Sequence, residues 1–253
     1  MDDADLGTRY DRMARTDWID IRRIHKARVL VAGAGALGNE AVKCLVLAGF
    51  HNITIVDFDT VERTNLSRCV LFREKDIGRN KAETAAEAAI GLDPECVATP
   101  VNGRIQSIDL SSFDIYIGCL DSISARLHLN SHARYYGIPY VDGSTDGFRG
   151  KVMTVLKTGP CLECTMNRTH LDELHRTFSC DPGEVREDTR ILSSGVTTAS
   201  VIAAACVREA IKIVCGCEHL CVIGLNYYDG IQGTMEVFET DIDPRCPNHG
   251  DRT

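Results

Sequence analysis

The sequence predicts an α/β protein: a mostly parallel sheet flanked by helices and extended by antiparallel strands in its second half. Three observations predict it. Short, near-continuously apolar runs alternate with helix-length segments from Arg28 to Val141, the rhythm of a parallel sheet covered on both faces. A glycine loop, Gly33-Ala34-Gly35-Ala36-Leu37-Gly38, lies between the first of these runs and the helix that follows. Beyond Asp142 the alternation gives way to β-type runs joined by turn residues, with one long helix among them.

Taken in order, residues 1–27 read as an N-terminal arm with a helix around Trp18–Lys26. Residues 28–253 read as one domain in two halves, divided at 142/143. In the first half, Arg28–Ala32 is a strand, the glycine loop opens a helix through about Ala48, and Asn52–Val56 is a strand ending at Asp57. A helix at about Lys81–Ala89 precedes a strand near Val97–Val101. Asp114–Ile117 is the next strand, its helix spans about Ser122–Tyr136, and Ile138–Val141 closes this half. In the second half a glycine turn feeds a strand at Gly150–Leu156, and a long helix covers about Thr197–Val214. Leu220–Asn226 and Thr234–Glu239 form a hairpin or meander. The polar crossover 165–190, with four Arg, six Asp/Glu and two His, is the segment expected to move most.

Composition narrows the function. The chain has 253 residues, 28 Lys+Arg against 36 Asp+Glu, and a net charge of −8. With no basic stripe, nucleic acid is not an expected partner. The acidic N-terminus lacks the apolar core of a secretory signal. The longest apolar stretch, Gly195 to Val214, is broken by Arg208, Glu209 and Lys212, so it reads as a buried helix and no membrane span is expected. Twelve cysteines without an export signal imply a reducing, cytoplasmic setting and no disulfide framework. Cys44, Cys96, Cys119 and Cys206 fall in apolar contexts and read as core. His25, His51, His128, His132 and His219 stand isolated and read as packing or surface residues.

The glycine loop makes the sheet Rossmann-like and a nucleotide site the expectation. Gly33 permits the tight turn, Gly35 lets backbone approach phosphate, and Gly38 permits close helix packing, with helix N-terminal amides facing the anion. Asp57, 24 residues after Gly33, is placed to accept from ribose hydroxyls. That motif alone does not choose among NAD, FAD and ATP. The charged loop from Asp57 to Arg68 does: it returns Asp59, Asn65 and Arg68 to the same edge, and Lys81 opens the next helix. Cations beside an adenosine site suit a polyphosphate and a phosphoryl group in transfer.

Cys161-Leu-Glu-Cys164 and Cys246-Pro-Asn-His249 share a two-residue interval and offer three sulfurs and one nitrogen to a tetrahedral structural Zn2+. Such a knuckle pair would staple the tail to the middle of the second half. A redox pair at 161–164 and unliganded thiols are the rival readings.

Together, VLVAGAGALGNE, DFDTVERTNLSR, Lys81 and Cys119-Leu-Asp121-Ser resemble the adenylation domain of the ubiquitin-activating (E1-like) superfamily, which includes bacterial activators of molybdopterin and thiamine sulfur carriers. DGSTDGFRGKV followed by CLECT is similar to the eukaryotic-type activators of ubiquitin-like modifiers. The resemblance runs from about Arg9 to His249. It implies that Asp57 binds the ribose, that Asn65, Arg68 and Lys81 contact ATP phosphates, and that Asp59 lies near the attacking carboxylate or metal. It implies that Asp121 coordinates Mg2+. Arg9-Tyr10-Asp11-Arg12 resembles the family's N-terminal arm, whose second arginine, here Arg12, reaches the other subunit's site in a homodimer; Met13 departs from the family's Gln. Ala36 stands where many members have Gly, and His249 where they have a fourth zinc-binding Cys. Cys180, in the crossover, is implied as the thiol that attacks the adenylate and holds the partner as a thioester, with an inert thiol as the alternative.

The expected function is ATP-dependent adenylation of the C-terminal glycine of a ubiquitin-like protein ending in Gly-Gly, followed by thioester formation on Cys180. An E2-like conjugating enzyme or a sulfurtransferase would act next. The alternatives are sulfur-carrier adenylation without a thioester (of the molybdopterin, thiamine or tRNA-thiolation type), a NAD(P)-dependent oxidoreductase, and a silent scaffold subunit. The catalytic set expected is Arg12, Arg68, Lys81, Asp121 and Cys180, with ATP, Mg2+ and Zn2+ as cofactors.

Overall fold

A computed structural model describes residues 7–166 and 195–249. One eight-stranded sheet runs through them: β1 Arg28–Ala32, β2 Asn52–Val56, β3 Val97–Val101, β4 Ile115–Gly118, β5 Tyr140–Asp146, β6 Arg149–Val155, β7 Leu225–Asp229 and β8 Thr234–Phe238. Their order is β3-β2-β1-β4-β5-β6-β7-β8. The first five pair in parallel and the last three antiparallel, as the change of rhythm after Asp142 predicts. Val29, Leu30, Val31 and Ala32 are fully buried, which explains an unbroken apolar run with no alternation.

The α-helices among the described residues are α1 Asp11–Ala14, α2 Ile21–Lys26, α3 Ala36–Leu47, α4 Lys81–Leu92, α5 Ile123–Tyr136 and α6 Val196–Val214, joined by short 3-10 turns. One core packs α3, α4 and α6 against Val29, Val31, Ile53, Ile55, Ile117 and Val141. On the opposite face, Ala125, Leu129 and Ala133 of α5 pack against Leu30, Tyr116 and Tyr140, and this core continues to Cys161 and Cys246. None of the helices is long and apolar enough to cross a membrane, among the described residues.

The chain leaves β1 for β2 and β3 on one side, then returns to place β4 on the other. The carboxyl ends of β1 and β4 thus flank the switch point, the usual position of a ligand crevice in open α/β sheets.

The arm is fastened at the opposite edge. Tyr10, 5% exposed, packs edge-on to His25 with ring centroids 5.0 Å apart, and donates to the Asp93 carboxylate just ahead of β3. Arg9 adds an ion pair to Asp93 at 2.9 Å. His25 stacks on His51, centroids 4.1 Å apart, where β1 and β2 begin.

Three boundaries differ from the sequence reading. The strand expected to end at Val141 continues to Asp146, because its continuation pairs antiparallel with β6, although Gly143 and Asp146 are of types depleted in strands. The run Leu220–Asn226 is not a strand throughout: Glu218–Leu220 form a 3-10 turn and β7 begins only at Leu225, where pairing to Met153 becomes available. The helix expected from Trp18 begins at Ile21, capped by Asp20, whose carboxylate accepts from Arg23 N.

Candidate active site and metal centre

The three glycines of the loop do different work. Gly33 has φ +94°, and a Cβ there would lie 2.5 Å from the Cys119 carbonyl oxygen. At Gly38 a Cβ would overlap the Gly33 carbonyl. These two are demanded by the fold itself. Gly35, the N-cap of α3, has extended dihedrals and no protein atom within 4 Å of a built Cβ. The space beside it is open and faces the start of α3, where free amides and the helix dipole favour an anion. Nothing in the protein requires a glycine at 35; a phosphate drawn up to the backbone would.

Asp57, at the end of β2, accepts from Ala34 N at 2.7 Å and from Asp59 N at 2.8 Å. Burial raises its carboxyl above the usual range, against those two bonds and the charge of Lys81. Both oxygens keep acceptor capacity for a sugar hydroxyl. Lys81, the first residue of α4, reaches Asp59 Oδ2 at 2.8 Å, while its N–H donates to Asp59 O. Asn65 is buried in a 3-10 turn, Arg63–Ser67, with its Oδ1 accepting from Glu62 N. Arg68 follows and donates to Thr64 O at 2.8 Å. The Cys69 thiol, pushed up to about 11 by burial, is drawn down by Arg68 and Lys81 and up by Asp57 and Glu40, so these charges converge on one region.

Asp121 stands in the loop between β4 and α5, exposed and without a hydrogen bond or ion pair among the described residues. Cys119, two residues earlier, is the residue whose carbonyl abuts Gly33 and whose N–H donates to Ala32 O. The phosphate loop, the charged loop and the Asp121 loop thus share the carboxyl edge of the sheet. A free carboxylate there fits a hard cation such as Mg2+.

Arg12 is not part of this constellation in its own chain. It lies exposed on α1, two residues from Tyr10, which is held at the amino edge. A five-residue strand spans roughly 16 Å between the two edges. Cys180 lies outside the described residues, as does most of the crossover 165–190.

Several residues that build the site were missed in the sequence. Asn39, fully buried on α3, donates to Ala34 O at 2.7 Å and Gly35 O at 3.1 Å and accepts from Leu71 N at 2.9 Å, tying the phosphate loop to the segment after Arg68. Asn80 caps α4 and donates to both Asp57 O and Asp59 O at 3.1 Å. A polar residue on an otherwise apolar helix face was the available signal at Asn39. Arg126, Asp142 and Tyr140 form a buried network below the Asp121 loop.

The second cluster is the expected one. Cys161, Cys164, Cys246 and His249 bring ligand atoms within 4.8 Å of one another. Cys161 Sγ lies 3.8 Å from Cys164 Sγ and 3.6 Å from Cys246 Sγ. Asn130 Nδ2 donates to Cys161 Sγ at 3.5 Å, its Oδ1 accepts from Leu162 N, and Asn248 donates to Glu163 at 2.6 Å. His249 Nε2 is buried without a partner, while Arg134 lies 3.3 Å from Nδ1. Three sulfurs and an imidazole with supporting amides fit a tetrahedral metal ion. Elsewhere burial raises the thiols of Cys44, Cys96, Cys119, Cys206, Cys215 and Cys221.

The model of the ThiF family matches residues 11–248. The chain belongs to the ThiF family. This is the E1-like adenylation-domain superfamily that the motifs resemble, and the match supports an ATP-dependent adenylating enzyme. The chain is 31% identical over 235 residues to the SAMP-activating enzyme E1 of Haloferax volcanii, covering 90% of this chain and 82% of that protein. It is also 31% identical to the NEDD8-activating enzyme E1 catalytic subunit of Arabidopsis thaliana, covering 87% of this chain but only 64% of that protein. The fold is shared with E. coli MccB, solved with ATP, at TM-score 0.81 and 20% identity over 98% of this chain and 75% of that one.

Proposed function

We propose that this protein adenylates the C-terminal carboxylate of a small sulfur-carrier or ubiquitin-like protein, with the acyl-adenylate, and not an enzyme thioester, as its product. The observation that carries this is the glycine loop: Gly33 and Gly38 are fixed by the fold, whereas Gly35 is left open at the start of α3, next to Ala34, whose N–H donates to Asp57, the carboxylate that feels the charge of Lys81. A second support is that the relatives activate small modifiers by name, and that MccB has been solved with the peptide MccA.

The partner's carboxylate attacks the α-phosphorus of ATP and pyrophosphate leaves. That carboxylate is ionised at neutral pH, so no general base is required. Asp57 binds the ribose, the α3 amides and Gly35 receive phosphate, and Lys81 and Arg68 neutralise the leaving pyrophosphate. Asp121 would hold Mg2+, which supplies charge neutralisation across the phosphates when bound. Arg12 would enter from the second subunit of a homodimer. Lys81 must exchange Asp59 for phosphate, freeing that carboxylate beside the attacking group. Cys119, whose carbonyl abuts Gly33, is raised by burial and suits no nucleophile. The three-cysteine, one-histidine centre takes structural Zn2+.

The test is ATP–pyrophosphate exchange with candidate partners ending in Gly-Gly, with intact mass of the product. Exchange in the wild type, its loss in Asp121→Ala and its survival in Cys180→Ala are expected. Exchange that persists in Asp121→Ala refutes the metal assignment.

A further inference from the structure

Beneath the Asp121 loop lies a charged network that none of the chemistry above uses. Asp142 of β5 is 2% exposed and Arg126 of α5 13%. Arg126 meets Asp142 with both ends of its fork: Nε donates to Oδ1 at 3.1 Å and Nη2 to Oδ2. Tyr140, fully buried on the same strand, donates its hydroxyl to Asp142 Oδ1. The three residues are therefore joined with little access to solvent.

The network brackets the Asp121 loop from both sides. Asp142 is the register partner of Gly118, the last residue of β4 and three residues before Asp121. A Cβ at Gly118 would lie 2.5 Å from the Tyr140 hydroxyl, so the ring lies directly against the strand end. On the other side, the Arg126 N–H donates to Ser122 O at 3.1 Å, so the guanidinium hangs from the first turn of α5, immediately after Asp121. The loop 119–122 is thus suspended between two points that the ion pair holds together. Asp121 itself has no other restraint among the described residues.

A buried ion pair is a poor way to gain stability, since a well-packed apolar set of the same volume often does as well or better. What a bidentate Arg–carboxylate pair supplies in addition is a fixed orientation. We propose that Arg126, Asp142 and Tyr140 are positioning residues that fix the β4–α5 loop so that the Asp121 carboxylate faces the cation carried by the nucleotide phosphates. This rests on the assignment of Asp121 to the metal in the proposed function, and it deepens that assignment.

The test reads nucleotide binding without turnover. The dissociation constant of ATP is measured by calorimetry on the full chain, without and with saturating Mg2+, alongside thermal melting. In the wild type Mg2+ tightens ATP binding. In Asp142→Asn and Arg126→Lys the Mg2+ gain should shrink by about fivefold or more, with metal-free ATP affinity nearly unchanged. Asp121→Ala should lose the same gain, and Asp142→Asn combined with Asp121→Ala should lose no more than Asp121→Ala alone. Tyr140→Phe keeps the ion pair and removes one hydroxyl; it serves if the charge variants do not fold, and it too should reduce the gain. Variants that melt earlier yet keep the wild-type Mg2+ gain, or losses that add in the double variant, would overturn the proposal. So would a wild type whose ATP affinity ignores Mg2+. A wild type that shows the Mg2+ gain but exchanges no pyrophosphate refutes adenylation and leaves the positioning measurement standing.

Discussion

The glycine loop allows the demands of folding to be separated from those of the ligand by two substitutions two residues apart. In Gly33→Ala the new Cβ lies 2.5 Å from the Cys119 carbonyl oxygen at a φ of +94°. Real Cβ contacts do not fall below 3.0 Å, so the backbone must retreat by at least about 0.5 Å. The left-handed strain costs about 1–2 kcal/mol and the overpacking about 1–3 kcal/mol. At roughly 2–4 °C per kcal/mol for a chain of this size, the Tm should fall by about 4–20 °C. Gly35→Ala meets nothing within 4 Å and needs no unusual dihedral. Its cost is the weaker N-cap, about 0.5–1 kcal/mol, or a few degrees at most. Its ATP affinity should nonetheless drop at least about tenfold, which is ~1.4 kcal/mol. Melting curves and calorimetric ATP titrations decide. If Gly35→Ala binds ATP as the wild type does, or if Gly33→Ala melts unchanged, the division of labour within the loop is wrong.

The metal centre should contain one zinc per chain by elemental analysis, and His249→Ala should lower both zinc content and Tm, the latter by about 5 °C, before it affects nucleotide binding; finding no zinc in carefully prepared protein would discard the centre. Arg12 sits at the wrong edge to serve its own site, so Arg12→Ala and Asp121→Ala should each be inactive in exchange while their mixture recovers about a quarter of the sites; no recovery would place Arg12 elsewhere. Glu209 is 1% exposed. Burial would raise its carboxyl, but Lys212, Val222 N and Arg208 prevail and hold it below the usual range. Its stabilisation is therefore complete above its unfolded value of about 4.3 and is lost as pH falls through the folded one. The Tm difference between wild type and Glu209→Gln should accordingly narrow on acidification below about pH 5; a constant difference would show that Glu209 does not titrate as argued.

What the sequence reveals, and what it hides, follows from how far each residue's partner lies. The strands of the parallel half are legible because Val29 to Ala32 and Ile115 to Ile117 are buried on both faces and must be apolar. The glycine loop is legible because its constraints are local, and the two-residue interval pairs Cys161 with Cys246 across 85 residues because metal ligands share a spacing. The end of β5 is hidden, because Ser144, Thr145 and Asp146 pair only once β6 is beside them. Asn39 and Asn80 are hidden for the same reason: their amides close contacts with Leu71 and Asp57, 32 and 23 residues away. Arg126 and Asp142 read as ordinary charges until β5 and α5 are brought together. Site residues that face a ligand carry a motif; those that hold them in place do not.

The burial of so many sulfur atoms has a practical consequence. A thiol whose proton is held by a dry surrounding is mostly unionised at neutral pH and reacts slowly with haloacetamides, maleimides or peroxide. The native enzyme should thus present a quiet background to electrophiles across Cys44, Cys96, Cys119, Cys206 and Cys221. Against it, any cysteine that labels within minutes announces itself by mass spectrometry, and dose-limited alkylation becomes a direct census of the chain's chemically awake positions.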